Sequence, residues 1–410
     1  MPEDATGNHS DAELRPVRRK TGLILRGLMI GALWACLLLF LPQTGQGGKG
    51  PPIRIGATVS LSGKYLEPSA MVLDAMRLWE KQVNQRGGLL GRPVQLVLYD
   101  DQSRPDLAEK FYRQLILQDK IDLVLSPYGT PLTQKAAEVS EQYELVMLAA
   151  AASGETMWRR GYKYLFGVYT PAGRILIGFL DVIARQGLES LAIIFESSPH
   201  NLSSAEGARN WAKRLGLKVS YFQSYGRGKE EIPQIGEECL AARPDGLILC
   251  SYPEDAYLLL ELLKRAKFRF KAICETIAPS LPSFYHRLGD MAEGVFGPSQ
   301  WEPDIRIPFP GTKEFMVNFK ELAHRSPSYH AASAYAACKI LEKGIKHNQS
   351  LNQAKLRDYI LSLDTVTIVG RFRVDSTGMQ VAHSPLLIQW QNGRKEIVYP
   401  NSMQTAPPRF

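Results

Sequence analysis

Residues 53–131 read IRIGATVSLSGKYLEPSAMVLDAMRLWEKQVNQRGGLLGRPVQLVLYDDQSRPDLAEKFYRQLILQDKIDLVLSPYGTP. An apolar run at 53–59 has the composition of a buried strand and leads into a small-residue turn, Ser60-Leu61-Ser62-Gly63. An amphipathic helical pattern follows, with Met71, Ala75, Leu78, Trp79 and Val83 on one face. Next come the loop Gly87-Gly88-Leu89-Leu90-Gly91-Arg92-Pro93, a second strand, an acidic turn (Asp100-Asp101), a second helix and a third strand. That strand ends in the polar loop Ser126-Pro127-Tyr128-Gly129-Thr130. The order β-α-β-α-β predicts a parallel, doubly wound sheet. Ligands of such sheets bind beyond the carboxyl ends of the strands, where both polar loops lie.

These pieces, with others further on, resemble the type I periplasmic solute-binding proteins of the branched-chain amino-acid (Leu/Ile/Val) family, which serve ATP-driven importers. The matching pieces are L-S-G after the first strand, N-x-x-G-G-L-L-G-R-P-V before the second and D-D-x-x-x-P after it. R-G-Y-K-Y-L-F-G at 160–167, A-E-G-V-F-G-P at 292–298 and L-L-I-Q-W-Q-N-G at 386–393 complete the set. Their order and spacing, over about residues 53–400, carry the resemblance. The same module also forms the ligand-binding part of some receptors, so the resemblance speaks to fold more directly than to function.

At 410 residues the chain is long enough for two domains with real cores. Hydrophobic residues make up 45% and charged residues 22%, ordinary values for a globular protein. The net charge is +8, without a long basic run or a basic-aromatic interleave, which argues against nucleic acid as a partner. Arg15, Arg18, Arg19 and Lys20 precede an apolar stretch at 27–41 that is short for a spanning helix and suits an export signal. An uncleaved anchor, or lipidation at Cys36, are the competing readings of that segment. The expected location is periplasmic or otherwise extracytoplasmic, with any membrane contact through residues 1–46. Residues 47–52 read as a spacer. Cys239, Cys250, Cys274 and Cys338 allow three disulfide pairings or buried free thiols, and the sequence does not choose. The cysteine pair of the family's best-known members, early in the first lobe, is absent. No metal-ligand spacing appears and no cofactor is expected.

The first lobe is expected to hold 53–168 and 298–368, and the second 169–297 and 369–400, with 401–410 a tail. Helices are expected over 173–187, 204–216, 232–242 and 255–267, alternating with strands over 191–195, 219–225, 246–250 and 272–274. Further helical patterns cover 312–319 and 330–346. The resemblance implies three crossings between lobes, near 168–171, 297 and 367–372, and hence a hinge that closes over a ligand.

Six loops should face the cleft. Ser62 and Tyr65 lie on the first, Tyr128 and Thr130 on the second. The resemblance gives Thr130 a hydroxyl role toward a ligand carboxylate, at a helix N-terminus suited to an anion; the plainer role is a cap of that helix. Ala152 and Ser153 match the family's small-residue loop with a second hydroxyl, and Ser153 also reads as a cap. His200 falls where the family often has a tyrosine, a departure that bears on substrate. Tyr252 is placed to stack on a ligand. Glu275 ends a strand where amino-acid-binding members carry a carboxylate for the ligand ammonium; facing solvent or bonding a hinge backbone is its ordinary alternative. Trp301 reads as cleft wall or hinge packing. Together they suggest a small carboxylate-bearing ligand, amino-acid-like or aromatic.

Enzyme signatures are missing. G-x-S-x-G does not occur, Asp100 and Asp101 point to opposite sides of a strand end, and 87–91 lacks the G-x-x-x-x-G-K-[ST] of a phosphate loop. The expected function is delivery of a solute to an ABC transporter permease. A ligand sensor signalling through a partner is the alternative, less favoured because no output domain is read in the sequence.

Overall fold

The computed structural model describes residues 50–226, 229–266 and 269–410. The export-signal reading and Cys36 lie outside them. The chain opens with β1 (Ile53–Val59), α1 (Leu66–Gln85), β2 (Val94–Asp100), α2 (Pro105–Leu117), β3 (Leu123–Val124), α3 (Thr130–Gln142), β4 (Met147–Ala149) and β5 (Leu165–Gly167). β1 pairs in parallel with β2 and β3, giving the order β2-β1-β3, and β4 pairs in parallel with β5. All but one residue of β1 are buried, as befits a central parallel strand covered on both faces. The face of α1 anticipated from its periodicity (Met71, Ala75, Leu78, Trp79, Val83) is buried throughout. Gly88 holds a turn that other residues cannot: φ is +80° and a Cβ there would sit 1.9 Å from the Arg92 carbonyl oxygen. Leu89 and Arg92 exchange two backbone hydrogen bonds of 2.9 Å across that turn.

The second lobe holds α4 (Ile177–Arg185), β6 (Ser190–Glu196), α5 (Pro199–Arg214), β7 (Lys218–Tyr225), α6 (Ile232–Ala241), β8 (Gly246–Cys250), α7 (Pro253–Arg265), β9 (Ala272–Glu275), α8 (Ser283–Leu288) and β10 (Val295–Ser299). The chain then adds α9 (Thr312–Ala323), α10 (Tyr329–Asn348) and α11 (Gln353–Ser362), the first two packing against α1, and the hairpin β11 (Thr365–Thr367) and β12 (Gly370–Phe372). Trp79 on α1 donates to Glu342 on α10 at 3.0 Å. The final strands are β13 (Leu386–Gln391) and β14 (Arg394–Tyr399). The second sheet runs β14-β13-β10-β9-β8-β6-β7, parallel from β10 to β7 and antiparallel at β13 and β14.

Two expectations change. Residues 367–372, expected to cross between lobes, belong largely to the β11–β12 hairpin, and the crossing follows them, before Leu386. Residues 401–410, expected as a tail, are pinned to β13. Arg409 N donates to Gln389 Oε1 at 2.9 Å, and Gln391 Nε2 donates to the Pro407 carbonyl at 2.8 Å. The three crossings are bonded to one another: Thr170 N donates to Gln300 Oε1 at 3.1 Å and Thr170 Oγ1 to the His383 carbonyl at 3.3 Å. Cys239, Cys250, Cys274 and Cys338 are buried free thiols, which decides the question the sequence left open.

Candidate functional site

The carboxyl ends of β3 and β4 face those of β6, β8 and β9 across a closed cleft. Inside lies a cavity of about 20 Å³ lined from both lobes, a space for about one water molecule. Five of the anticipated residues line it: Tyr128, Thr130, Ser153, His200 and Tyr252.

Thr130 is the first residue of α3, with Gly129 (φ +84°) as the cap. Its side chain therefore does not cap the helix as the plain reading had it. Thr130 Oγ1 accepts from Ser153 N at 3.3 Å and Gly154 N at 3.1 Å. Those two bonds occupy the lone pairs of the oxygen and leave its O–H as a donor. The N-terminal end of α3 adds unpaired N–H groups and a favourable dipole for an anion. Ser153 Oγ lies 3.2 Å from His200 Nδ1, a contact that joins the lobes. Burial holds His200 down to about 4, so its ring is neutral near pH 7. His330 is held to about 3, first by burial and then by His200 and Lys395. Burial also raises the Tyr128 and Tyr252 phenols well above their ordinary value, so both are neutral O–H groups.

The other five candidates do not line the cavity. Tyr65 is buried just outside it, edge-on to Tyr252 at 4.7 Å and to Tyr128 at 5.6 Å between ring centroids. Beside it, Lys64 Nζ lies 2.6 Å from Glu196 Oε1 of the second lobe and 4.7 Å from the Tyr252 ring centroid. Ser62 is exposed, and its carbonyl accepts from Ser103 Oγ at 2.7 Å. Ala152 packs in the core with Met157 and Trp158, while Ala151 and Ser153 on either side line the cavity. Trp301 is core, edge-on to Phe315 at 5.7 Å. Glu275 is fully buried and bonds its own lobe: Ser251 Oγ donates to it at 3.2 Å, Ile277 N at 2.9 Å and Ala278 N at 2.5 Å. Burial pushes its carboxyl up to about 8 against those hydrogen bonds.

The sequence profile described as periplasmic binding protein matches residues 52–395. The chain belongs to that family. As a periplasmic binding protein of type I it is a solute-binding protein and not an enzyme. A "Leu/Ile/Val-binding protein homolog 7" of Brucella suis biovar 1 (strain 1330) is 21% identical over 382 residues, covering 87% of this chain and 94% of that one. The fold is that of the branched-chain amino-acid transporter substrate binding protein LivJ from Streptococcus pneumoniae, solved with isoleucine. Its TM-score is 0.77 at 16% identity, over 85% of this chain and 100% of that one. A solute binding protein of an ABC transporter from R. palustris, solved with benzoate, has a TM-score of 0.75 at 15% identity, over 85% of this chain and 95% of that one.

In this periplasmic binding protein the lining residues that sequence reading missed include Tyr169, Thr276, Ile277, Gln300, Tyr329 and His330. Tyr169 and Gln300 sit on hinge crossings, which run beneath any cleft between two lobes, so the crossing positions were a usable signal. Thr276 follows Glu275 at the end of β9, and the alternation of a strand sends neighbours to opposite sides. Tyr329 and His330 begin α10, and nothing in their local sequence marks them apart from ordinary helix residues.

Proposed function

We propose that this periplasmic binding protein works outside the cytoplasm, closes its two lobes over a small carboxylate-bearing solute, and presents the closed form to the permease of an ABC importer. The observation that carries this reading is the Thr130 hydroxyl. Two backbone N–H groups occupy its lone pairs at the N-terminus of α3, so it meets the cavity as a donor. A donor set of this kind suits a carboxylate, and the isoleucine and benzoate of the structural neighbours share that group. The cavity of about 20 Å³ is too small for such a solute, so entry requires the lobes to part. The Ser153–His200, Lys64–Glu196 and Glu67–Ser283 contacts between lobes are among those that break and re-form.

Thermal unfolding of the protein, stripped of ligand by unfolding and refolding, tests this against a panel of amino acids, aliphatic and aromatic carboxylates, amides and sugars. A carboxylate at about 100 times its Kd adds about 2.7 kcal/mol to stability. Thr130→Ala is expected to weaken that carboxylate by about 10- to 100-fold, the worth of a hydrogen bond to a charged group. Stabilisation by sugars or amides alone would contradict the reading.

A further inference from the structure

Amino acids and simple carboxylic acids share the carboxylate and differ in the ammonium, so the question at this cleft is what meets the positive charge. Among the described residues that line the cavity there is no Asp, Glu, Lys or Arg. Its walls are phenol rings (Tyr128, Tyr169, Tyr252, Tyr329), two imidazoles, small hydroxyls and aliphatic groups. Glu275 is the carboxylate nearest in sequence to the lining residues, and its two oxygens already accept three hydrogen bonds from Ser251, Ile277 and Ala278. All three donors belong to the second lobe, so opening the cleft does not release it. Thr276 takes the place on the cavity wall that a carboxylate would need, and its buried Oγ1 has no hydrogen-bond partner among the described residues. A hydroxyl there serves a neutral polar group or a carboxylate oxygen. It cannot neutralise an ammonium. Whereas a carboxylate meets the Thr130 O–H and the N-terminus of α3, an ammonium would be buried with neither a counter-charge nor a carboxylate acceptor, which is strongly disfavoured.

We infer that the site selects carboxylic acids lacking an α-amino group, with an apolar and preferably aromatic body against the tyrosines, and that Thr276 determines this preference. The inference rests on the carboxylate-binding reading above and narrows it. Aromatic walls favour a ring because stacked and edge-to-face pairs add to the burial of apolar area.

Calorimetric titration of the ligand-stripped protein with matched pairs tests it: 3-phenylpropanoate against phenylalanine, and 4-methylpentanoate against leucine. Each deaminated acid is expected to bind about 100-fold or more tightly than its amino acid, the difference that an unpaired buried ammonium makes. Thr276→Glu is expected to invert the order, weakening 3-phenylpropanoate and strengthening phenylalanine. Binding of either amino acid within tenfold of its deaminated partner would overturn the inference and leave the binding function standing. Absence of binding by every member of both pairs, and by benzoate, would instead overturn the carboxylate-binding reading itself. Because the wild-type titrations decide between these outcomes, the test does not depend on Thr276→Glu folding.

Discussion

Glu275 has no exposed surface, and burial pushes its carboxyl up to about 8. An unfolded glutamate titrates near 4.3. The folded protein therefore holds a proton that the unfolded chain releases across that interval. The contribution of Glu275 to stability is full below about pH 4.3 and is lost as pH rises toward 8. Glu275→Gln keeps acceptor capacity without the titration, so its unfolding temperature is expected to fall less than the wild type's between pH 5 and 8. The stability difference between them should change by about 1.4 kcal/mol per pH unit in mid-window, read by denaturant unfolding at several pH values. The cleft histidines, His330 buried and His200 partly so, act in the opposite direction. His200 is held to about 4 and His330 to about 3, below the ordinary value near 6.5. Their contribution is present above about pH 6.5 and is lost as pH falls toward 4. Replacing His200 with Gln is expected to reduce that acid-side loss. At this scale the sequence showed residue types and loops but not direction. Tyr128, Thr130 and Ser153 were legible because each lies on a loop after a strand. Glu275 lies one position from the lining residue Thr276, since adjacent residues at a strand end point opposite ways. Ala152, in the loop after β4, packs in the core between the lining residues Ala151 and Ser153.

Helices and strands were legible where periodicity was long. The apolar face of α1 and the continuous apolar run of β1 are examples. The β11–β12 hairpin was not, because each strand has three residues and no alternating pattern can develop. Close approaches between elements are likewise silent in sequence. Gly207 on α5 faces the turn at 172–174, where a Cβ would lie 2.2 Å from the Gly173 carbonyl oxygen. Gly207→Ala is expected to destabilise the second lobe by about 1–3 kcal/mol through overpacking. Gly236 in α6 is the matched control, since its Cβ would meet no atom nearer than Leu263 Cδ2 at 3.9 Å. Gly236→Ala is expected to stabilise by about 0.4–1 kcal/mol by restricting the unfolded chain. Urea unfolding of the two variants distinguishes contact from backbone entropy.

For the molecule as a whole, the two-lobe plan followed from the alternation of strands and helices together with the family resemblance, whereas the exact crossing points depended on contacts far apart in sequence. Thr170, Gln300 and His383 meet at the hinge although more than 200 residues separate the first from the last. Closure is held from outside the cavity by Lys64 and Glu196. Burial works against the charge on Lys64, yet Tyr65 and Glu196 raise its pKa on balance. Because Lys64 retains 35% side-chain exposure, the pair is screened and modest. Lys64→Ala is expected to weaken ligand binding about two- to fivefold, and the deficit should shrink in high salt, where the wild-type pair is screened. Small-angle X-ray scattering tests closure most directly, using the ligand-stripped protein with and without the carboxylate that stabilises it most in the thermal screen. A smaller radius of gyration in the liganded sample is the predicted result. An unchanged radius of gyration at saturating ligand would contradict closure of the two lobes over a solute.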